Sequence, residues 1–460
     1  RLIRRQRQMC IRDRSYGMAG ADNIDASLWR ETWESTTVTF NGQTYSGYKP
    51  SGMLSNPDLK WETTISRNIG LDFGFFNNRL SGTIDAYWNT TKDLLMCIPI
   101  DETTGYSYQY QNIGQTSNKG IEIALNYDIL RTKDFTLGVS ATYNYNHNNI
   151  DELADNIIAQ YGSQWASSAT TPTYDYEFRE GKPVGLIRGY ICDGYYTTAD
   201  FNYDPATKTY TLKPGVADLG NQVGNYPSHY NLPEGQKAFP GAVKLRDLDG
   251  NGVADTEDVA DLGEITHPHT GGFNLNMTWK DIDFSAGFAW AAGGHVYNVN
   301  SLINMYGNKD TGAGANKLEF ISDCYQIYDI QNGELVPVVE PDALDALNTG
   351  AKYGVPYMEN GTVLSTFVED ASFLRLNTLT VGYTFPKAWT KKIGMQRARV
   401  YATAGNLFTI TGYSGIDPEV NADPNKSTTA ANTGNYPLLG MDYGTYPRAR
   451  TFTFGVNITF

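Results

Sequence analysis

Between Asp247 and Asp258 the chain reads Asp-Leu-Asp-Gly-Asn-Gly-Val-Ala-Asp-Thr-Glu-Asp. Asp247, Asp249, Asn251, Asp255 and Asp258 stand at positions 1, 3, 5, 9 and 12 of that run, with the Val253 carbonyl at 7. Hard oxygen ligands at this spacing wrap a Ca²⁺ ion, and a glycine at position 6, here Gly252, permits the sharp turn. The departure is Asp258, where the helix-loop-helix version carries a bidentate Glu; a shorter carboxylate is closer to the dockerin-type loop. The expected role is to order the loop. Against it stands an ordinary turn, because Asp, Asn and Gly dominate turns that bind nothing. No organic cofactor is indicated.

Other chemistry finds little support. His147, His229, His267, His269 and His295 contain no His-Glu-x-x-His pair, and His267-Pro268-His269 reads as a proline turn. Cys10, Cys97, Cys192 and Cys324 form no Cys-x-x-Cys pair, so neither a zinc knuckle nor a disulfide framework is indicated. Gly412-Tyr413-Ser414-Gly415 lacks the spacing of a nucleophile elbow. A net charge of −14 argues against nucleic acid, which needs an excess of cations to meet its phosphates.

The elements that must carry the acidic loop are strands. The chain is polar and turn-rich, with 32 Tyr, 46 Gly and a mean hydropathy of −0.42, the profile of an all-β protein. No run approaches the roughly 20 apolar residues of a helical span. Period-two alternation predicts four hairpins. The first sets Ile65, Ile69, Leu71, Phe73 and Phe75 before a turn at Asn77-Asn78, then Leu80, Ile84, Ala86 and Trp88. The second runs Ile121 to Ile129 and returns from Phe135 to Tyr145; the third joins Phe273–Trp279 to Ile282–Trp290 across Lys280-Asp281, and two residues suffice for that reversal. The fourth joins Leu379–Phe385 to Ala398–Ala404. A lone last strand presents Phe452, Phe454, Val456, Ile458 and Phe460 on one face. The opposite faces favour Thr, Ser, Asn and Gly, which suits a wet lumen better than the exposed side of a soluble sandwich, while Trp88, Trp279 and Trp290 suit interfacial girdles.

Long Gly-, Asn-, Asp- and Tyr-rich segments separate the hairpins, at roughly 93–118, 148–270, 291–371 and 406–447. Short turns alternating with long loops predict an antiparallel transmembrane β-barrel with its long loops extracellular. The 148–270 loop then carries the acidic run, and Phe460 points to the periplasm. Nine strands are odd, whereas single-chain bacterial barrels have an even number. Residues 1–14 carry six arginines and no apolar stretch; they fail as a signal peptide and read as a non-native leader, which leaves 15–460 as barrel. The absence of a signal suggests a fragment.

Several stretches resemble the C-terminal barrel of SusC/RagA-type TonB-linked outer-membrane proteins. They are Asn56-Pro57-Asp58-Leu59-Lys60-Trp61-Glu62-Thr63-Thr64, Asn112-Ile113-Gly114 with Asn118-Lys119-Gly120-Ile121-Glu122, the aspartate run after Pro240-Gly241, Phe373-Leu374-Arg375-Leu376-Asn377, Gly405-Asn406-Leu407-Phe408, and Tyr446-Pro447-Arg448 through Phe460. The resemblance implies a TonB-dependent transporter barrel of about 22 strands in the outer membrane of a Gram-negative cell. It also implies a plug and a TonB-contacting segment that this chain lacks, and a SusD-like surface lipoprotein that helps deliver glycans or peptides. The terminal Phe resembles a barrel-assembly signal; an edge so apolar would be hazardous in a soluble protein and harmless once paired in a barrel.

Three functions follow as expectations. The first is the wall and loops of an importer of oligosaccharides or peptides, embedded in outer-membrane lipid. The second is a secreted or cell-surface, calcium-ordered glycan-binding protein, which would be soluble without detergent. The third, a membrane-embedded hydrolase, has no motif behind it.

Overall fold

A computed structural model of the chain describes residues 9–21, 28–153, 159–161, 176–224, 228–305, 319–357, 362–420, 440–442 and 444–460. Ten long strands form one antiparallel sheet in which every strand pairs with its neighbour in the chain. They are β1 (Met9–Ala21), β2 (Glu62–Phe75), β3 (Leu80–Lys92), β4 (Gln115–Arg131), β5 (Phe135–Glu152), β6 (His269–Trp279), β7 (Ile282–Ala292), β8 (Phe373–Thr384), β9 (Arg397–Thr411) and β10 (Thr451–Thr459). The four predicted hairpins are present. Asn77 and Asn78, at φ 58° and 64°, make the first reversal in the left-handed conformation that Asn tolerates best after Gly.

Two expectations need correction. The wall contains ten strands among the described residues, an even number, because β1 was not expected. Its register with β2 runs unbroken from Met9↔Gly74 to Ala21↔Glu62, so the leader boundary after residue 14 falls inside a strand; residues 1–8 lie outside the described residues. The side chains explain why alternation did not reveal it. Arg12 and Arg14 lie opposite Leu71 and Ile69, on the apolar face, where a membrane-centred Arg costs about 2–4 kcal/mol. β1 is held by its backbone ladder against its own side-chain pattern. The loop boundaries also tighten: β4 begins at Gln115, β5 continues to Glu152 and β6 starts at His269.

The faces of the sheet divide by polarity. Ile69, Trp279, Val381, Val456 and Phe454 lie on the predicted apolar face and remain 46–80% exposed. No second sheet covers them among the described residues, which is incompatible with a sandwich and suits contact with lipid. On the other face, Thr64–Thr91 and Thr380–Thr403 hydroxyls meet across strands at 3.0 Å, and Arg399 grips Asp283 with two hydrogen bonds of 2.5 and 2.9 Å. Trp279 beside Ile282 marks one rim and Trp290 the other. Eight residue steps lead from Ile282 to Trp290, about 27 Å along the strand and about 20 Å after barrel tilt, close to the height of an apolar membrane band.

The connections 76–79, 132–134, 280–281 and 385–396 are short and lie at one end; 22–61, 93–114, 153–268, 293–372 and 412–450 are long and lie at the other. The two longest are more than loops. Ile187, Tyr190, Tyr196, Tyr210, Leu344 and Leu364 have no exposed surface and belong to one apolar core, drawn from residues 187–367 and closed by Met441. Among the described residues the larger buried cluster sits in this cap, as a lipid-facing wall requires.

Candidate functional site

The acidic run folds into a tight loop on the flank of the cap. Its entry and exit are fixed by the Val243–Leu245 strand and by a turn of 3-10 helix at Thr256–Asp258. Asp258 is fully buried. Its Oδ1 accepts the Leu248 N–H at 2.5 Å and its Oδ2 the Asp255 N–H at 2.8 Å, so it ties both ends of the loop together. Asp247 accepts from the Gly250 and Gly252 N–H groups at 2.7 and 2.8 Å. Those bonds, Gly252's foremost, hold its carboxyl below the ordinary carboxylate range. Gly250 and Gly252 adopt φ of 79° and 92°, a conformation that favours glycine.

Carboxylate oxygens of Asp247, Asp249 and Asp258 lie within 4.8 Å of one another. Asn251 joins them differently: its Nδ2 donates to Asp249 at 3.1 Å and Asp255 at 2.9 Å, and its Oδ1 accepts the Val253 N–H at 2.9 Å. The structure therefore brings three of the six predicted ligands into one cluster. Asn251 and Asp255 are bound to its rim. Val253 turns its side chain outwards and bridges to Asp218. The donor set is hard oxygen throughout, which suits a divalent cation of the calcium type.

Asp218 anchors the loop to the cap. Its N–H donates to the Gly252 carbonyl, its carbonyl accepts the Ala254 N–H, and its carboxylate takes the N–H groups of Lys237 and Ala238. Beside it, Gly220 at φ +65° passes so near that an added Cβ would meet the Ala254 oxygen at 2.3 Å. Neither residue stood out in the sequence, because their partners are distant in the chain.

A second cluster was also missed. Arg375, on β8, is 1% exposed and reaches Asp417 at 2.6 Å and Glu419 at 3.0 Å. Arg448, just before β10, approaches the same two carboxylates at 3.8 and 3.3 Å. This quartet clamps the last long connection to the wall. The visible signal was an arginine inside the apolar stretch Phe373–Leu376. The terminal residues Phe452, Phe454, Val456, Ile458 and Phe460 share the exposed apolar face. Among the described residues β10 pairs only with β9, from Arg397↔Thr459 to Gly405↔Thr451, so one full ladder edge is open.

The family described as TonB dependent receptor-like, beta-barrel, matches residues 26–232. TonB-dependent receptor P3 of Formosa agariphila is 30% identical over 446 residues, covering 97% of this chain and 39% of that protein. TonB-dependent receptor SusC of Bacteroides thetaiotaomicron is 28% identical over 452 residues, covering 97% and 37%. The chain thus spans about two-fifths of the length of the relatives it matches. Among solved structures, that of the RagAB peptide transporter covers 100% of this chain and 42% of its own, with a TM-score of 0.68 at 23% identity. That likeness is one of fold.

Proposed function

We propose that the chain is a TonB-dependent receptor β-barrel protein of the SusC/RagA type, and that it supplies part of the wall and the outer cap of an energised importer in the Gram-negative outer membrane. One observation carries this reading: an antiparallel wall presents its apolar face outwards and its Thr, Asn and ion-paired face inwards, and its long connections merge into a packed cap at one end only. The cap end faces the exterior and Phe460 the periplasm, the disposition usual for such barrels. Oligosaccharides or peptides are the substrate class, since polar and aromatic cap residues suit both. A SusD-like lipoprotein is the surface partner, and the TonB complex engages through parts of the protein outside this chain. Calcium at Asp247, Asp249 and Asp258 orders the 247–258 loop.

Deleting the gene that encodes the chain should abolish uptake of fluorescent oligosaccharide or oligopeptide mixtures. In the intact strain a protonophore should stop the same uptake. Uptake that survives deletion, or proceeds without the proton gradient, would refute the importer.

A further inference from the structure

The outer wall carries an uncommitted basic row. Continuing along the strands past the apolar row Ile69, Ala86 and Ile121, the next outward-facing residues are Tyr16 on β1, Arg67 on β2, Trp88 on β3, Lys119 on β4 and His147 on β5. Tyr16 pairs with Arg67, Trp88 with Lys119 and Lys119 with His147; the flanking pairs Ile65↔Thr90 and Asn68↔Tyr87 set Arg67 beside Trp88. The row lies towards the cap end of the wall, at the level of the girdle.

Cations at the edge of an apolar band ordinarily snorkel to water, and in this row they do so without a carboxylate partner among the described residues. The Arg67 guanidinium donates to the Thr90 hydroxyl at 3.3 Å, a neutral partner. Lys119 makes no ion pair among the described residues. Asp151, further towards the cap, takes hydrogen bonds from Gln115, Ser117 and Asn149 and makes no ion pair with Lys119 among the described residues. Two cations therefore flank one indole that is 42% exposed, with about 10 Å between the outer strands of the three. An indole face stacks on the apolar face of a sugar ring, and each cation suits a phosphate.

We propose that Arg67, Trp88 and Lys119 form a site on the lipid-facing wall for the phosphorylated sugar headgroup of an outer-leaflet lipid. The sugar lies on Trp88 with a phosphate towards each cation. The proposal rests on the reading that the cap end is extracellular, since only then does the row meet that leaflet. Its effect would be to seat the cap end of the barrel at a defined depth.

The test uses the full-length protein in phosphatidylcholine nanodiscs doped with diphosphoryl lipid A, and counts retained lipid by native mass spectrometry. At about 1 kcal/mol per cation, Arg67→Gln with Lys119→Gln should lower retention roughly thirtyfold. Trp88→Leu should lower retention of lipid A and leave that of phosphatidylglycerol unchanged. Dephosphorylated lipid A should not be retained, and inorganic phosphate should not compete. Folding of each variant is checked by its heat-modifiable electrophoretic mobility. Equal retention by the folded double variant, or displacement of the lipid by inorganic phosphate, would overturn the site and leave the importer intact. Failure of the unmodified protein to enter a bilayer at all would overturn both.

Discussion

Asp258 shows how one residue in the acidic loop does two jobs. Its buried carboxylate closes the loop by accepting backbone N–H groups from both ends, and it also contributes an oxygen to the cluster with Asp247 and Asp249. The first job holds with or without a cation. The second creates repulsion among three carboxylates that a divalent cation relieves. Replacing Asp247 and Asp249 with Ala should therefore abolish calcium-dependent protection of residues 240–265 from proteolysis while leaving the cap folded. If the unmodified protein is protected equally with calcium and with chelator, the run is an ordinary turn. Asp258→Ala is a different experiment: it strands buried N–H groups at about 1–3 kcal/mol each and should loosen the loop in either condition.

At the scale of elements, the wall is governed by strict alternation. Phe454 and Thr453 are neighbours on β10, yet Phe454 lies opposite Ala402 and faces the lipid side, while Thr453 lies opposite Thr403 on the hydroxyl-lined side. Phe454→Arg in the full-length protein should cost about 2–4 kcal/mol, whereas Thr453→Arg, one residue away on the wet face, should cost less than about 1 kcal/mol. Denaturant unfolding from lipid vesicles measures both. Equal costs would mean that the two faces are not lipid and water. Where alternation is clear, from Ile65 to Trp290 and again from Leu379 to Phe460, the sequence alone placed nine strands and their short turns. Where it fails, at β1, only the ladder with β2 reveals the strand, because backbone pairing is indifferent to the arginines that spoil the pattern.

For the whole molecule, wall and cap rest on different forces. Backbone ladders and an outward apolar face hold the wall, whereas the cap has an inward core and rim ion pairs. Arg246 holds the Asp193 carboxyl below its ordinary value of 3.8. Burial acts to raise the Asp261 carboxyl, but Lys182 and Arg188 together bring it below the same value. Groups depressed in the folded state contribute stability that is present above 3.8 and lost as pH falls through their lower folded values. The cap should accordingly stay protease-resistant down to about pH 4 and open below it, with the wall keeping its heat-modifiable mobility throughout. A cap that opens between pH 7 and 5, or a wall that fails first, would contradict this division. From sequence alone came the all-β class, the hairpins with their short turns, the terminal strand and the acidic run, all of them local patterns of period two or fixed spacing. Tertiary structure alone decided that the long segments around Tyr196, Tyr210 and Leu344 share one core, that Arg375 meets Asp417 and Glu419, that Asp218 anchors the acidic loop, and that Met9–Ala21 is wall. Each of these joins residues far apart in the chain, and no local period records such a meeting.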